Sequence, residues 1–243
     1  MNFKKKDVSS ASHHYKTSGD GSASRLKKQT MKAKQPIRMS SVRVIAGQWK
    51  RRLVSFPELP GVRPTPNRLR ETLFQWLEPM IHQAHVLDPF AGTGILGIEA
   101  LSRGALSLVS IDFEPQLIES MKALQETWAS NPSWELQSSA SPGVFDQLDP
   151  KHKFNLVFLD PPYDLGLWLP SLEAIVKHGL LANNVWIYLE LPSRDAEDIL
   201  KAIFEEQDWS QLGWAWYRHR ESRCSNALGS LWRGEYTSVS SDG

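Results

Sequence analysis

Three acids in this chain each close an apolar run, and the residues after each acid set the chemistry it can do. Val86-Leu87 lead into Asp88, which opens Asp88-Pro89-Phe90-Ala91-Gly92-Thr93-Gly94. Leu106-Ser107-Leu108-Val109-Ser110-Ile111 lead into Asp112 and Phe113. Leu156-Val157-Phe158-Leu159 lead into Asp160-Pro161-Pro162-Tyr163. Runs of this kind fit strands covered on both faces. The residue at the carboxyl end then lies on the rim where open α/β sheets bind ligands.

Gly92 and Gly94 let the backbone turn sharply and approach a ligand, because no Cβ intervenes. The pattern is not the G-x-G-x-x-G fingerprint that holds a pyrophosphate. Gly97 falls on an x position, and no third glycine stands at the required offset. A carboxylate at Asp88 would repel a pyrophosphate but suits a cationic amino-acid moiety. S-adenosylmethionine (SAM) carries both an ammonium and a sulfonium. Asp112, 24 positions after Asp88, can accept hydrogen bonds from both ribose hydroxyls. SAM is therefore the expected cofactor and S-adenosylhomocysteine the expected product. Asp88, Pro89, Phe90, Ala91, Gly92, Thr93, Gly94, Asp112 and Phe113 form the expected cradle. Ser139 and Ala140, after the third strand, sit where such a fold offers a polar contact to the adenine.

Asp160, Pro161, Pro162 and Tyr163 are the expected catalytic set. The two prolines lack N–H groups and fix φ, so the loop is stiff and turns carbonyls outward. An exocyclic amine of a base offers two donors. The Asp160 carboxylate accepts one and the Pro161 carbonyl the other, which drives the nitrogen toward a tetrahedral shape and frees its lone pair. Tyr163 offers a ring face to a flipped base. The methyl donor is already activated, so no metal and no covalent nucleophile is expected; positioning and charge placement supply the rate.

The elements that must hold these groups are read from periodicity. Strands are expected at 84–88, 106–112, 134–138, 154–160 and 184–190, with helices at 94–103, 115–129, near 143–148, at 168–178 and at 194–206. Alternating strands and helices imply a parallel sheet. Two later runs, 214–218 and 226–232, are expected to pair as an antiparallel edge. Ahead of the core, 41–57 reads as a β-hairpin turning near Gly47. Thr65-Pro66 reads as a helix start, with proline at the first helical position and Pro79 ending the helix. The expected divisions are a disordered basic tail at 1–40, a basic hairpin and helix at 41–83, and a cofactor-binding core at 84–238.

The 243 residues carry a net charge of only +1, which hides an asymmetry. Residues 1–70 hold 17 Lys+Arg against 3 Asp+Glu, and residues 71–243 hold 11 against 24. A basic end on an acidic body favours a polyanion approached from one side. Arg43, Lys50, Arg51 and Arg52 cluster on the hairpin beside Trp49, a mixture that suits RNA. Arg63, Arg68 and Arg70 flank the helix start, where the helix dipole disfavours cations. All eight are expected at an RNA surface. Cys224 is the single cysteine, which fits a reducing, cytoplasmic location. No apolar run nears the length of a membrane span.

At these motifs the chain resembles the RsmD family, bacterial methyltransferases acting on a guanine N2 of small-subunit ribosomal RNA. The resemblance runs over about residues 41–235. It rests on Arg43-Val44-Ile45-Ala46-Gly47-Gln48-Trp49, on Arg63-Pro64-Thr65 with Arg68-Leu69-Arg70-Glu71-Thr72-Leu73-Phe74, on the loop Asp88 to Gly94, and on Asp160 to Tyr163. It implies a Rossmann-like, seven-stranded methyltransferase fold, and a substrate that is an assembled or partly assembled small subunit. A monomer is expected. Two other readings fit the same loops: adenine-N6 methylation of DNA or RNA, and a non-catalytic assembly factor that keeps a SAM fold. The absence of a sizeable inserted recognition domain argues against the first, and the intact Asp160-Pro161-Pro162-Tyr163 against the second.

Overall fold

A computed structural model of the chain describes residues 38–128, 133–149, 151 and 153–237. The tail expected at 1–40 lies outside them up to residue 37.

The N-terminal segment folds as expected in outline. β1 (Met39–Arg43) and β2 (Leu53–Pro57) pair antiparallel as a separate two-stranded sheet, with Arg43 opposite Leu53. α1 (Asn67–Ile81) comes next, and Pro66 occupies its N-cap, one place earlier than expected. Pro79 does not end the helix. It falls in the last turn, where its missing N–H removes a single hydrogen bond.

The core is a seven-stranded sheet in the order β5-β4-β3-β6-β7-β9-β8. β3 (His85–Asp88), β4 (Ser107–Asp112), β5 (Ser133–Ser138), β6 (Phe154–Leu159) and β7 (Leu181–Pro192) are parallel. β8 (Trp214–Cys224) and β9 (Ala227–Tyr236) add the antiparallel edge. The expected Rossmann-like α/β architecture is therefore present. Strand order reverses beside β3, the switch point at which such sheets bind ligands.

Side chains alternate across the strands and fill two cores. Val86, Leu108, Leu156, Phe158, Tyr188 and Leu231 face α1, α2 (Ile95–Ser102), α3 (Pro115–Thr127) and the hairpin. Leu87, Val109, Ile111, Val157, Leu159 and Ile187 face α4 (Trp168–Lys177) and α5 (Ala196–Phe204). Val42, Val44, Trp49, Val54 and Phe56 of the hairpin segment belong to the first core. The hairpin thus packs as part of the body.

Three elements are longer or shorter than the sequence pattern suggests. β7 spans Leu181–Pro192, and β8 runs through the polar stretch Arg218-His219-Arg220-Glu221-Ser222. β8 is the outermost strand of the sheet, and its polar stretch is largely exposed, so no apolar alternation marks it. The helix expected near 143–148 is a single 3-10 turn, Phe145–Gln147. No helix among the described residues is long and apolar enough to cross a membrane.

Candidate active site

Asp88 and Asp112 are the last residues of β3 and β4, and Asp160 comes directly after β6. All three leave one rim of the sheet. Asp88 is 2% exposed, and its Oδ2 accepts the Gly97 N–H at 3.3 Å. Burial raises its proton affinity, the Gly97 donor opposes this, and the nearby Asp112 charge adds to it; the pKa is pushed up to about 7. A buried carboxylate with one backbone donor has acceptor capacity to spare. Asp112 spans the loop: Oδ2 accepts Gly92 N–H at 2.7 Å and Oδ1 accepts Glu114 N–H at 2.9 Å.

Gly92 (φ +53°) and Gly94 (φ +76°) hold the left-handed turn into α2. A Cβ on Gly94 would lie 2.6 Å from Met121 Sδ. Pro89, Ala91 and Thr93 are buried and Phe90 is half-buried. Pro89 accepts the Ser141 Oγ hydrogen bond at 2.8 Å, and Ala91 N–H bonds Ile111 O at 2.9 Å. Phe113, just past Asp112, is 64% exposed and offers a free ring face. Ser139 N–H bonds Asp112 O at 2.9 Å, and Ala140 beside it is exposed. The donor set fits SAM: one buried acid for the ammonium, a second for the ribose, a glycine turn open to backbone approach and an exposed ring for the adenine.

The other half of the site surrounds Asp160, a partly exposed residue. Burial of its carboxyl, then the charges of Glu190 and Asp88, raise its pKa well above the usual carboxylate range. β3 and β6 are paired neighbours, so Asp160 leaves the sheet on the strand next to that of Asp88. Pro161 is buried and Pro162 exposed. Tyr163 opens a short 3-10 turn, packs its ring 6.1 Å from that of Trp168, and lies near Glu190. Among the described residues no cluster of His, Cys, Asp and Glu could hold a metal.

The model of the family described as conserved hypothetical protein 95 matches residues 42–213. The chain belongs to that family. It is the RsmD family to which the motifs point. The chain is 36% identical over 182 residues to ribosomal RNA small subunit methyltransferase D of Haemophilus influenzae, covering 74% of this chain and 91% of that one. It is 40% identical over 153 residues to the protein of that name from Escherichia coli, covering 61% and 74%. A solved Escherichia coli structure, provisionally assigned as a methyltransferase, superposes with a TM-score of 0.67 at 30% identity over 81% of this chain and 99% of that one.

In this RsmD-family chain, six of the eight residues expected at an RNA surface are exposed: Arg43, Lys50, Arg51, Arg52, Arg63 and Arg68. Arg43 Nη1 donates to Arg51 O at 3.0 Å, and the Arg52 guanidinium lies over the Trp128 ring at 5.4 Å. The other two are corrected by the structure. Trp49 is 4% exposed and packs 5.3 Å from Trp128, so its ring closes the core and offers no face to a base. Arg70 is 1% exposed. Its Nη2 donates to Arg43 O at 2.9 Å and Asn67 Oδ1 at 2.8 Å, which ties α1 to the end of β1.

Three residues that brace the candidate site of this RsmD-family chain are not singled out from the sequence. Gly97 supplies the N–H that holds Asp88. Glu99 is fully buried and accepts Ile45 N–H at 2.8 Å, Ala46 N–H at 3.0 Å and Arg103 Nε–H at 2.9 Å. It clamps the basic segment to α2. Glu190, at the end of β7, borders Asp160. The sequence does carry a signal for it, because it is one more acid at the carboxyl end of an apolar run.

Proposed function

We propose that this protein transfers a methyl group from SAM to the exocyclic N2 amine of a guanine in small-subunit ribosomal RNA. The carrying observation is the shared rim: Asp88 ends β3 and Asp160 follows the adjacent parallel strand β6, so the loop that suits SAM and the motif that suits an amine leave neighbouring strands on one edge. The relatives named ribosomal RNA small subunit methyltransferase D support the substrate class. We place the reaction in the cytoplasm, on an assembled or partly assembled small subunit, with the protein acting as a monomer.

Bound at the cradle, SAM supplies an electrophilic methyl on a cationic sulfur. Asp160 and the Pro161 carbonyl accept hydrogen bonds from the two amine N–H groups, which turns the nitrogen lone pair toward that methyl. Tyr163, packed against Trp168, stacks the base extruded from the RNA. The raised proton affinity of Asp160 suits it to take the proton the nitrogen sheds once its new bond has formed. The exposed arginines hold phosphates on the hairpin side.

The test is transfer of labelled methyl from SAM to bare small-subunit rRNA, to small subunits lacking the modification, and to duplex DNA, with nucleoside identification and position mapping. Label in N2-methylguanosine from subunits is expected. Label in N6-methyladenine would move the enzyme to another amine, and no label with SAM bound would make it a binding factor. Asp160→Ala is expected to abolish transfer while SAM still binds.

A further inference from the structure

Glu190 is a second carboxylate beside Asp160. β6 and β7 run parallel with Leu159 opposite Leu189, so Asp160 and Glu190 leave adjacent strands side by side. Glu190 is 6% exposed. Its Oε2 accepts the Tyr188 O–H at 3.2 Å, and the side chains of Thr65 and Tyr163 lie near the carboxylate. Trp168 Nε1 donates to its backbone oxygen at 3.0 Å, which fixes the strand end. None of the ion pairs among the described residues includes Glu190.

An ionised carboxylate offers about four acceptor sites. The Tyr188 hydroxyl fills one of them, and the carboxylate keeps capacity for a further donor. A buried acid without a cation is a poor device for stability. Tyr163 belongs to the catalytic motif and Thr65 to the segment leading into α1, so the acid joins two walls of the target site. It stands beside the group that holds the amine.

We propose that Glu190 is the residue that selects guanine, by accepting its N1–H while Asp160 and Pro161 hold the adjacent N2 amine. This rests on the guanine-N2 reading of the site. Guanine presents two neighbouring donors on that edge, N1–H and N2–H. Adenine presents a donor at N6 but an acceptor at N1. Two carboxylates side by side match the first edge, and the second would set a lone pair against a lone pair. A site built to receive an N–H rejects an analogue lacking it far more strongly than an apolar pocket rejects a change of size.

The test compares guanosine with 2-aminopurine at the mapped target position of the small subunit. 2-Aminopurine keeps the N2 amine and lacks the N1–H. With the wild-type full chain, kcat/KM is expected to fall at least about 100-fold on 2-aminopurine. Glu190→Gln can turn its amide N–H toward an acceptor at N1. It is expected to narrow that ratio to less than about tenfold, losing rate on guanosine and gaining on 2-aminopurine, with SAM affinity unchanged. Wild-type rates within about threefold on the two bases would overturn the proposal and leave guanine-N2 transfer standing. Equal proportional losses on both bases in Glu190→Gln would overturn it too. Absence of wild-type methyl on guanosine N2 would overturn the underlying reading first. The wild-type comparison holds even if the variant fails to fold.

Discussion

Gly97 donates its N–H to Asp88 Oδ2, and a Cβ at position 97 would lie 3.2 Å from that same oxygen and 2.7 Å from Leu108 Cδ2. The glycine thus sets both the depth at which α2 meets β4 and the hold on the SAM acid. Helix propensity alone favours alanine over glycine by about 1 kcal/mol. The contact geometry opposes it, since Leu108 is 1% exposed and its methyls have no room to retreat. Gly97→Ala is expected to destabilise the protein by about 1–3 kcal/mol, the usual cost of overpacking a core, and to weaken SAM binding. Denaturant unfolding and calorimetric titration check both. A gain in stability would show that α2 is free to shift.

The proposed pairing of Asp88 with the ligand's ammonium makes SAM binding pH-dependent in a defined direction. Its carboxyl is pushed up to about 7, so it is largely neutral below that pH. Pairing with the ligand's ammonium favours the ionised form. Affinity is therefore expected to rise with pH up to about 7 and to fall about tenfold per unit below it. Titration of SAM between about pH 5.5 and 7.5 reads this, with Asp88→Asn expected to bind weakly and without the slope. A flat wild-type profile would remove Asp88 from the pairing.

The sequence is legible where its constraints are local. Asp88 to Gly94 and Asp160 to Tyr163 stand out because a sharp backbone turn and a stiff carbonyl-presenting loop demand particular residue types in succession. The inner parallel strands β3, β4 and β6 stand out because burial on both faces fills them largely with apolar residues. Glu190 stays hidden because its role arises only when β6 and β7 become neighbours. Trp49 and Arg70 mislead for a related reason: basic residues interleaved with an aromatic look alike whether they face RNA or the next helix. Gly97 hides as an ordinary residue of a helix, and only the approach of Leu108 explains it.

Glu190 also shapes stability against pH. Burial pushes its carboxyl up to about 7 from an unfolded value of 4.5, so the folded state holds this proton more tightly than the unfolded chain does. Its favourable contribution is complete below about pH 4.5 and is lost as pH rises to about 7. Glu190→Gln removes the ionisation. The difference in Tm between variant and wild type, without cofactor, is expected to move in the variant's favour across that window and to level off above it. Thermal unfolding at several pH values measures it, and a constant difference would contradict a raised Glu190.

The Glu99 clamp predicts that the basic segment and the SAM site can be uncoupled. Its carboxylate accepts two backbone N–H groups and one arginine N–H. Glu99→Gln replaces one acceptor oxygen with a donor that faces donors. A cost of about 1–3 kcal/mol is expected from the unpaired groups. Protease cleavage within residues 44–52 is expected to accelerate and rRNA affinity to fall, while SAM affinity changes less than about twofold, because the hydrogen bonds lost lie outside the cradle. Unchanged cleavage and RNA affinity would show that the segment is held without Glu99.

Arg68 and Arg70 sit two residues apart in the first turn of α1 and are expected to do different things. Arg68 is exposed, and Arg70 is buried with its guanidinium bonded to Arg43 O and Asn67 Oδ1. Removing a cation that neutralises one phosphate lowers the slope of log affinity against log salt by about 0.7–0.9. Arg68→Ala is expected to show that decrement in rRNA binding with Tm unchanged, and Arg51→Glu with Arg52→Glu a larger one. Arg70→Ala is expected to keep the wild-type slope and to lose about 2–4 kcal/mol of stability, from the broken bonds and the volume left behind. Salt-dependent binding and denaturant unfolding on the same variants separate the two roles. A normal salt slope in Arg68→Ala would take α1 out of the RNA surface. A normal stability in Arg70→Ala would mean that its bond to Arg43 does not tie the helix to β1.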